Sequence, residues 1–281
     1  MPVYNTREEH LRETMESILN QTFSDFEFLI LNDASTDENV ERVVKSYHDP
    51  RIRYAVNEKN MGISRTRNRL LEMARGEYLA IVDHDDVSTP ERLAEEVAWL
   101  DRHPETGIVG AIIESVYDNG EKRIIEVPEK NEDIEKKMLW KNCVMHPVCM
   151  MRKSVLVEHG VRYEALFSPA EDYALFCRLI GKTEFHNIQK LLLRYRNHSN
   201  NTSHLQSREM SDATMIIQDF ARKQNPELWG FARLNLFRKI RFYLFKKLPL
   251  VKIEERFDRF DFYLFSCIPV FSIAREEWRE K

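Results

Sequence analysis

The chain has 281 residues, enough for one large domain or two small ones with a substantial hydrophobic core. Its 42 Lys/Arg against 46 Asp/Glu leave a net charge of −4, without the basic footprint that a nucleic-acid partner calls for. The balance is uneven: residues 230–281 carry 12 Lys/Arg against 7 Asp/Glu, a net of +5, so residues 1–229 carry −9. Cys143, Cys149, Cys177 and Cys267 are scattered, with no C-x-x-C spacing, and read as reduced, mostly buried thiols of a cytoplasmic protein. Met1 leads straight into Pro2 and Val3, which is no signal peptide. The apolar stretch Phe262 to Ala274 is too short to span a bilayer and is broken by Pro269, so a membrane would be met only from its surface.

The first hundred residues alternate strand and helix signals. "MPVYN" supplies only the end of a first strand, so either the natural chain starts several residues upstream or this strand is short. Thr6 with Glu9 forms a capping-box pattern, followed by Leu11, Met15, Ile18 and Leu19 at helical spacing. "FEFLILND" reads as a buried strand. "STDENVERVVKSY" reads as a helix with Ser35 to Asp37 as cap candidates and an apolar face of Val40, Val43, Val44 and Tyr47. "IRYAV" is a strand, "SRTRNRLLEMARG" a helix stopped by Gly76, "EYLAIVD" a strand, and "TPERLAEEVAWL" a helix with Thr89 at the cap and Pro90 in the first turn. Repeated β-α-β units predict an α/β fold with a mostly parallel sheet and helices on both faces.

Beyond residue 105 the alternation loosens. "GIVGAIIESVYD" and "KRIIEV" read as strands, "NEDIEKKMLW" as a helix, "HPVCMM" as a strand, and "RKSVLVEHG" and "AEDYALFCRLIG" as helices. "FHNIQKLLLRYRNH" ends in a strand and a polar loop. From about 205 the chain is predicted to be wholly helical, and "FYLFKKLPLVKI" (242–253) and "FYLFSCIPVFSI" (262–273) repeat one pattern 20 residues apart, like two helical hooks.

Ligands of such sheets bind beyond the carboxyl ends of the strands. Three polar clusters fall there: Asn32, Asp33 and Ser35; Asn57, Asn60 and Gly62; and Asp83, His84, Asp85 and Asp86. Magnesium and manganese prefer carboxylate oxygens and are commonly held by one or two carboxylates plus substrate phosphates. The "DHDD" run offers that arrangement, and a bound cation would offset charge on a departing diphosphate. The plainer alternative is an acidic loop capping "TPERL".

"MPVYN", "SILNQTFSDFEFLILNDASTD", "NMGISRTRN", "ARGEYLAIVDHDD" and "AEDYALFCRL" follow the order and spacing of family 2 glycosyltransferases, and the chain resembles them from residue 1 to about 204. The resemblance implies a GT-A fold divided into a nucleotide-sugar-binding half (1–104) and an acceptor-binding half (105–204), with 205–281 a helical extension. It implies that Pro2, Tyr4 and Asp33 hold the base, usually uracil, although Tyr4 could pack in the core and Asp33 could cap the next helix. Asn60, Gly62 and Arg67 would line the nucleotide side, Gly62 permitting a tight turn, while Arg65 and Arg69 read as exposed helix charges. Asp83 would lie near the ribose and Asp85 on a Mn2+ or Mg2+ ion; Asp86 could share either task, and His84 fills a variable position.

The same resemblance makes Glu171 and Asp172 the acidic pair of the reaction, Asp172 being the base that takes the acceptor hydroxyl's proton in an inverting transfer. The helix dipole would keep that carboxylate ionised; the alternative is an ordinary acidic first turn. In "RYRNHS", Arg196 and His198 would close over the diphosphate or reach the metal, or be a polar loop. His146 would face the acceptor, or be a buried structural histidine. Arg233 to Lys252 holds seven Lys/Arg and no acid among aromatic and aliphatic residues, which suits an anionic membrane surface or a helix packed on the catalytic domain.

The expected activity is metal-dependent inverting transfer from a nucleotide-sugar, with UDP-sugars in first place, to a saccharide or lipid-linked acceptor in surface polysaccharide assembly. The protein would be cytoplasmic, on the inner face of the cytoplasmic membrane if 230–281 binds lipid. The competing readings are a nucleotidyltransferase or nucleotide-sugar hydrolase using the same crevice, and a non-catalytic nucleotide-sugar or membrane scaffold.

Overall fold

In the computed structural model, residues 1–198, 201, 205–230 and 232 are described in full, with the backbone alone for 251–255, 259–264 and 268–274. The chain divides into two compact units, Met1–Asn225 and Pro226–Lys281.

The first unit opens with three parallel strands, β1 (Pro2–Val3), β2 (Phe28–Asn32) and β3 (Ile52–Val56), in the order β1-β2-β3. Right-handed crossovers of this kind need helices between the strands, and α1 (Glu8–Leu19) and α2 (Asn39–Lys45) supply them. Leu11, Met15 and Ile18 of α1 and Val40, Val43 and Val44 of α2 pack with Val3, Phe28 and Ile30 in one core. Each such side chain contributes about 1.5–3 kcal/mol on full burial. The capping box does not form. α1 starts at Glu8, and the Thr6 hydroxyl is buried without a partner. Asp37 accepts from the Asn39 amide at 2.8 Å at the start of the next helix, although the N-cap position itself is Glu38.

α3 (Ile63–Met73) leads to the second sheet, ordered β4 (Tyr78–Ala80), β8 (Met150–Arg152), β6 (Thr106–Tyr117), β9 (Glu184–Asn197), β5 (Val87–Ser88), with β7 (Lys122–Ile125) paired to β6. β6 and β9 run parallel; β4 with β8, β6 with β8, β6 with β7 and β5 with β9 are antiparallel. Parallel pairing is thus concentrated in β1–β3 and at the β6–β9 centre. α4 (Arg92–Arg102) covers this sheet through Leu93 and Leu100 against Val109, Ala111, Val148 and Ile188. α5 (Asn131–Met138), α6 (Lys153–Glu158) and α7 (Glu171–Cys177) complete the second half. Cys143, Cys149 and Cys177 are buried free thiols.

Two features of the C-terminal reading change. Helix α8 (Ser207–Gln224) belongs to the first unit: Gln218 donates to the Trp140 carbonyl at 2.5 Å and Arg222 to that of Leu139 at 3.0 Å, with Arg222 4.7 Å above the Trp140 ring. The compact unit therefore runs to residue 225 rather than ending at 204. The second unit is not wholly helical. β10 (Val251–Glu255), β11 (Arg259–Leu264) and β12 (Ile268–Ala274) form an antiparallel three-stranded sheet. The physical reason lies in composition: Val251, Ile253, Phe260, Phe262, Val270 and Ile273 are β-branched or aromatic and suit a pleated surface. Residues 262–264 and 268–273 of the second copy thus fall in strands, and most of its partner at 242–253 lies outside the described residues, as do residues 233–250 of the basic segment. Among the described residues no helix is long and apolar enough to cross a membrane.

Candidate active site

The crevice is built at the strand ends. Asp33, immediately after β2, is buried and receives three bonds: from Asn57 Nδ2 at 2.6 Å, the Met61 amide at 2.9 Å and the Gly62 amide at 2.9 Å. Gly62 has φ +81°, a conformation that favours glycine, and its amide is also 3.0 Å from Asn60 Oδ1. Asp33 therefore shapes the loop that starts α3, and a carboxylate with about four lone-pair sites keeps one on Oδ2 for a further donor. Pro2 pairs with Leu31, and Tyr4 is 42% exposed rather than packed in the core. Asn57 accepts from Arg69, so Arg69 is not a free helix charge; Arg65 is exposed.

Arg67 was expected on the nucleotide side, and the structure puts it between the two halves. Nη2 donates to Asp83 Oδ1 at 3.0 Å and Nη1 to Glu171 Oε1 at 2.6 Å, with the guanidinium 5.6 Å from the centre of the Tyr163 ring. Asn68, one residue on, exchanges bonds with the backbone of Tyr163 at 2.8 and 2.9 Å. The three contacts to Tyr163 attach α3 to the loop that precedes α7, and the Glu171 bond attaches it to α7 itself. Burial acts to raise the Asp83 carboxyl, but the Arg67 guanidinium outweighs it and holds the group below the ordinary carboxylate range.

The acidic turn runs from β4 to β5. Asp85 Oδ2 stands 3.3 Å from His198 Nε2, and the His198 ring stacks on His10 at 5.9 Å. Asp86 is buried: Oδ1 accepts from the Arg196 amide at 2.8 Å, its carbonyl accepts from Thr14 Oγ1 at 2.8 Å, and Oδ2 has no partner. Burial, then Asp85 and Asp83, push its carboxyl well above the ordinary range. This is a support for the turn more than a cation ligand. Arg196 points to the Asp85 carbonyl at 2.9 Å and to Glu13, so its guanidinium is engaged by protein and not turned to the open crevice.

A cation on this turn would have Asp85 and His198 as its protein ligands. Two donors about 2.1–2.2 Å from one ion at right angles lie about 3 Å apart, and the 3.3 Å separation fits that. Among the described residues no set of three His, Cys, Asp or Glu side chains converges on a point, so the rest of such a shell would come from diphosphate and water.

Glu171 and Asp172 open α7. Asp172 is half-buried, with Oδ2 accepting from Asn142 Nδ2 at 3.0 Å. Burial, then repulsion from Glu171, raise its carboxyl to about 6 against the pull of Arg67. The expectation that the helix end dominates is therefore corrected: desolvation wins. The group remains mostly ionised at neutral pH and is poised as a general base prefers. For His146 the structure favours the alternative of a buried structural histidine. It is buried, with Nε2 2.9 Å from the Tyr163 hydroxyl, and burial followed by Arg67 lowers it to about 3, so it is a neutral structural residue.

One group escapes a reading of the sequence. Arg92, fully buried, bonds Glu96 Oε1 at 3.0 Å, Ser88 Oγ at 3.1 Å and the Ile81 carbonyl at 2.7 Å, bracing both ends of the acidic turn from below. In the sequence Arg92 and Glu96 are an unremarkable i,i+4 pair on a helix.

The glycosyl transferase family 2 model matches residues 1–160. The chain belongs to this family. It is 28% identical to an O-antigen biosynthesis glycosyltransferase, WbnJ, of Escherichia coli, over 75% of this chain and 84% of that one. Among solved structures it is similar to S. aureus TarS 1–349 in complex with UDP-GlcNAc, with TM-score 0.63 and 21% identity over 77% of this chain, and it spans 63% of that chain. It is also similar to the mannosyltransferase PcManGT of Pyrobaculum calidifontis in complex with GDP-Man and Mn2+, with TM-score 0.58 and 17% identity over 84% of this chain and 68% of that one. The fold of the chain is that of a GT-A glycosyltransferase. The family 2 resemblance read from five short motifs is therefore borne out.

Proposed function

We propose that this family 2 glycosyltransferase is an inverting enzyme that moves a sugar from a nucleotide-sugar, a UDP-sugar first, to a saccharide or lipid-linked acceptor in surface polysaccharide assembly. The observation that carries the reading is the Arg67 fork, which sets the acidic turn and the Glu171–Asp172 pair on two sides of one guanidinium. Donor and acceptor machinery thereby meet in one crevice. Asp33 and Tyr4 offer the base an acceptor site and a ring face, Asp83 reaches toward the ribose, and Asp85 with His198 would hold Mn2+ or Mg2+. When bound, that ion supplies positive charge to the diphosphate. Asp172 takes the acceptor hydroxyl's proton as the oxygen attacks the anomeric carbon from the face opposite the diphosphate. UDP and the polysaccharide context are supported by the TarS and WbnJ similarities; the GDP-Man complex keeps the base open to test.

The test is a thermal-shift screen of UDP-, GDP- and other nucleotide-sugars with and without Mn2+. Stabilisation by a UDP-sugar only when Mn2+ is present is the expected result. Equal stabilisation without metal, or by none of the donors, would sink the reading. The basic C-terminal unit is proposed to touch anionic lipid, each Lys/Arg near the surface contributing about 1 kcal/mol. Removing 230–281 should then release the protein from anionic vesicles in a sedimentation assay, and unchanged sedimentation would refute that role.

A further inference from the structure

Arg67 occupies a position the family reading does not account for. Its side chain is 12% exposed, and its two terminal nitrogens are spent on protein carboxylates from opposite halves of the domain, Asp83 and Glu171. Glu171 has a side chain 4% exposed, and its second oxygen, Oε2, has no partner. A carboxylate that deep needs a counter-charge, and no other Lys or Arg among the described residues pairs with it. Burial works against the charge on Arg67, but Asp83, Tyr163, Glu171 and Asp172 together raise its affinity for the proton, so the guanidinium stays charged. Tyr163 fixes its other face, with His146 holding the Tyr163 hydroxyl at 2.9 Å and Asn68 holding the Tyr163 backbone. The groups around Asp172 are then Glu171 and Cys177 on α7, Arg67 on α3, Tyr163 on the preceding loop, Asn142 after α5 and Cys149 before β8. Arg67 is the cation of that set.

We propose that Arg67 is a positioning residue for the transfer step: its fork cancels the charge of Glu171 beside the base Asp172 and locks the acceptor wall to the donor wall at Asp83. This rests on the reading of Asp172 as base. Without Arg67, the buried Glu171 would stand uncompensated next to the half-buried Asp172, and its repulsion, which already raises the Asp172 carboxyl, would go unopposed. A larger share of the base would then hold its proton at neutral pH and be unable to accept one from the acceptor. Lysine is a poor replacement, because a single ammonium cannot span two carboxylates as the planar fork does.

The test needs no donor. Carboxyl carbons of the full 13C-labelled chain are titrated by NMR, with the Asp172 signal assigned by its loss in Asp172→Asn. Arg67→Met should raise the Asp172 midpoint by about one pH unit or more, roughly tenfold in proton affinity. Arg67→Lys should raise it less, Glu171→Gln should lower it, and Glu171→Gln in the Arg67→Met background should return it toward the parent value. A midpoint that stays put in both Arg67 variants would overturn the proposal, as would an unrescued double variant. If Arg67→Met does not fold, Arg67→Lys and Glu171→Gln decide by the same criteria. Turnover by Asp172→Asn separates the two ideas: an active Asp172→Asn enzyme removes the base, whereas an inactive one with unmoved midpoints in the Arg67 variants removes only the role of Arg67.

Discussion

The acidic turn and the Glu171–Asp172 pair are both carboxylate clusters, joined through Arg67, yet they are held in opposite ways. The turn is gripped from several elements at once: Thr14 of α1 and the Arg196 amide of β9 take Asp86, while Arg92 of α4 takes Ser88 and the Ile81 carbonyl. The pair has two polar side-chain partners, Arg67 on Glu171 and Asn142 on Asp172, and is otherwise governed by burial. A site that receives charge is served by fixed geometry. A site that moves a proton is served by a tuned affinity, which desolvation and neighbours adjust.

If that contrast is right, substitutions in the two clusters should fail differently. Asp172→Asn should cost the most, about 10³–10⁴-fold in turnover, the upper range for a general base, with UDP-Mn2+ binding kept; loss of both together would mean the pair is structural. Arg92→Met should strike the turn from below, costing about 3–5 kcal/mol of stability because Glu96 is left buried and unpaired. Burial already raises Glu96 to about 7 against the pull of Arg92, so this carboxylate stabilises least when it must ionise. Its contribution is present at low pH and is lost as pH rises through about 7. The Arg92→Met penalty should therefore be larger at pH 8 than at pH 5.5, which urea denaturation at the two values measures. Asp85→Ala should have the smallest structural effect, leaving the melting temperature of the free protein unchanged while removing any Mn2+-dependent shift by UDP; a retained shift would move the ion elsewhere.

Much of the architecture was readable because it is local. Helical spacing marked Leu11, Met15 and Ile18 and the valines of α2, and these residues form the first core. The strand-end rule placed Asp33 after β2 and the acidic turn after β4, and an ordered set of five motifs named the family. The errors have physical causes too. Arg67 and Arg69 sit on one helix among other arginines, and nothing in their spacing says that one bridges two halves and the other bonds Asn57. Arg92 and Glu96 look like solvated charges because an i,i+4 ion pair reads the same on a wet face and in a core. The C-terminal repeat is amphipathic at more than one period, so β-branched and aromatic residues at 251–274 support strands where a helical reading placed hooks.

The sequence by itself determined the family, the α/β pattern and which carboxylates gather at strand ends, since propensity, periodicity and motif order are properties of neighbouring residues. The tertiary structure alone decided which partners each carboxylate meets and how deeply each is buried. Charge affinity depends on burial and on partners 16 to 110 positions away, such as Arg67 with Asp83 and Glu171, or Asp86 with Arg196. Only folding brings those groups within reach, and only folding removes the water that would otherwise make them equivalent.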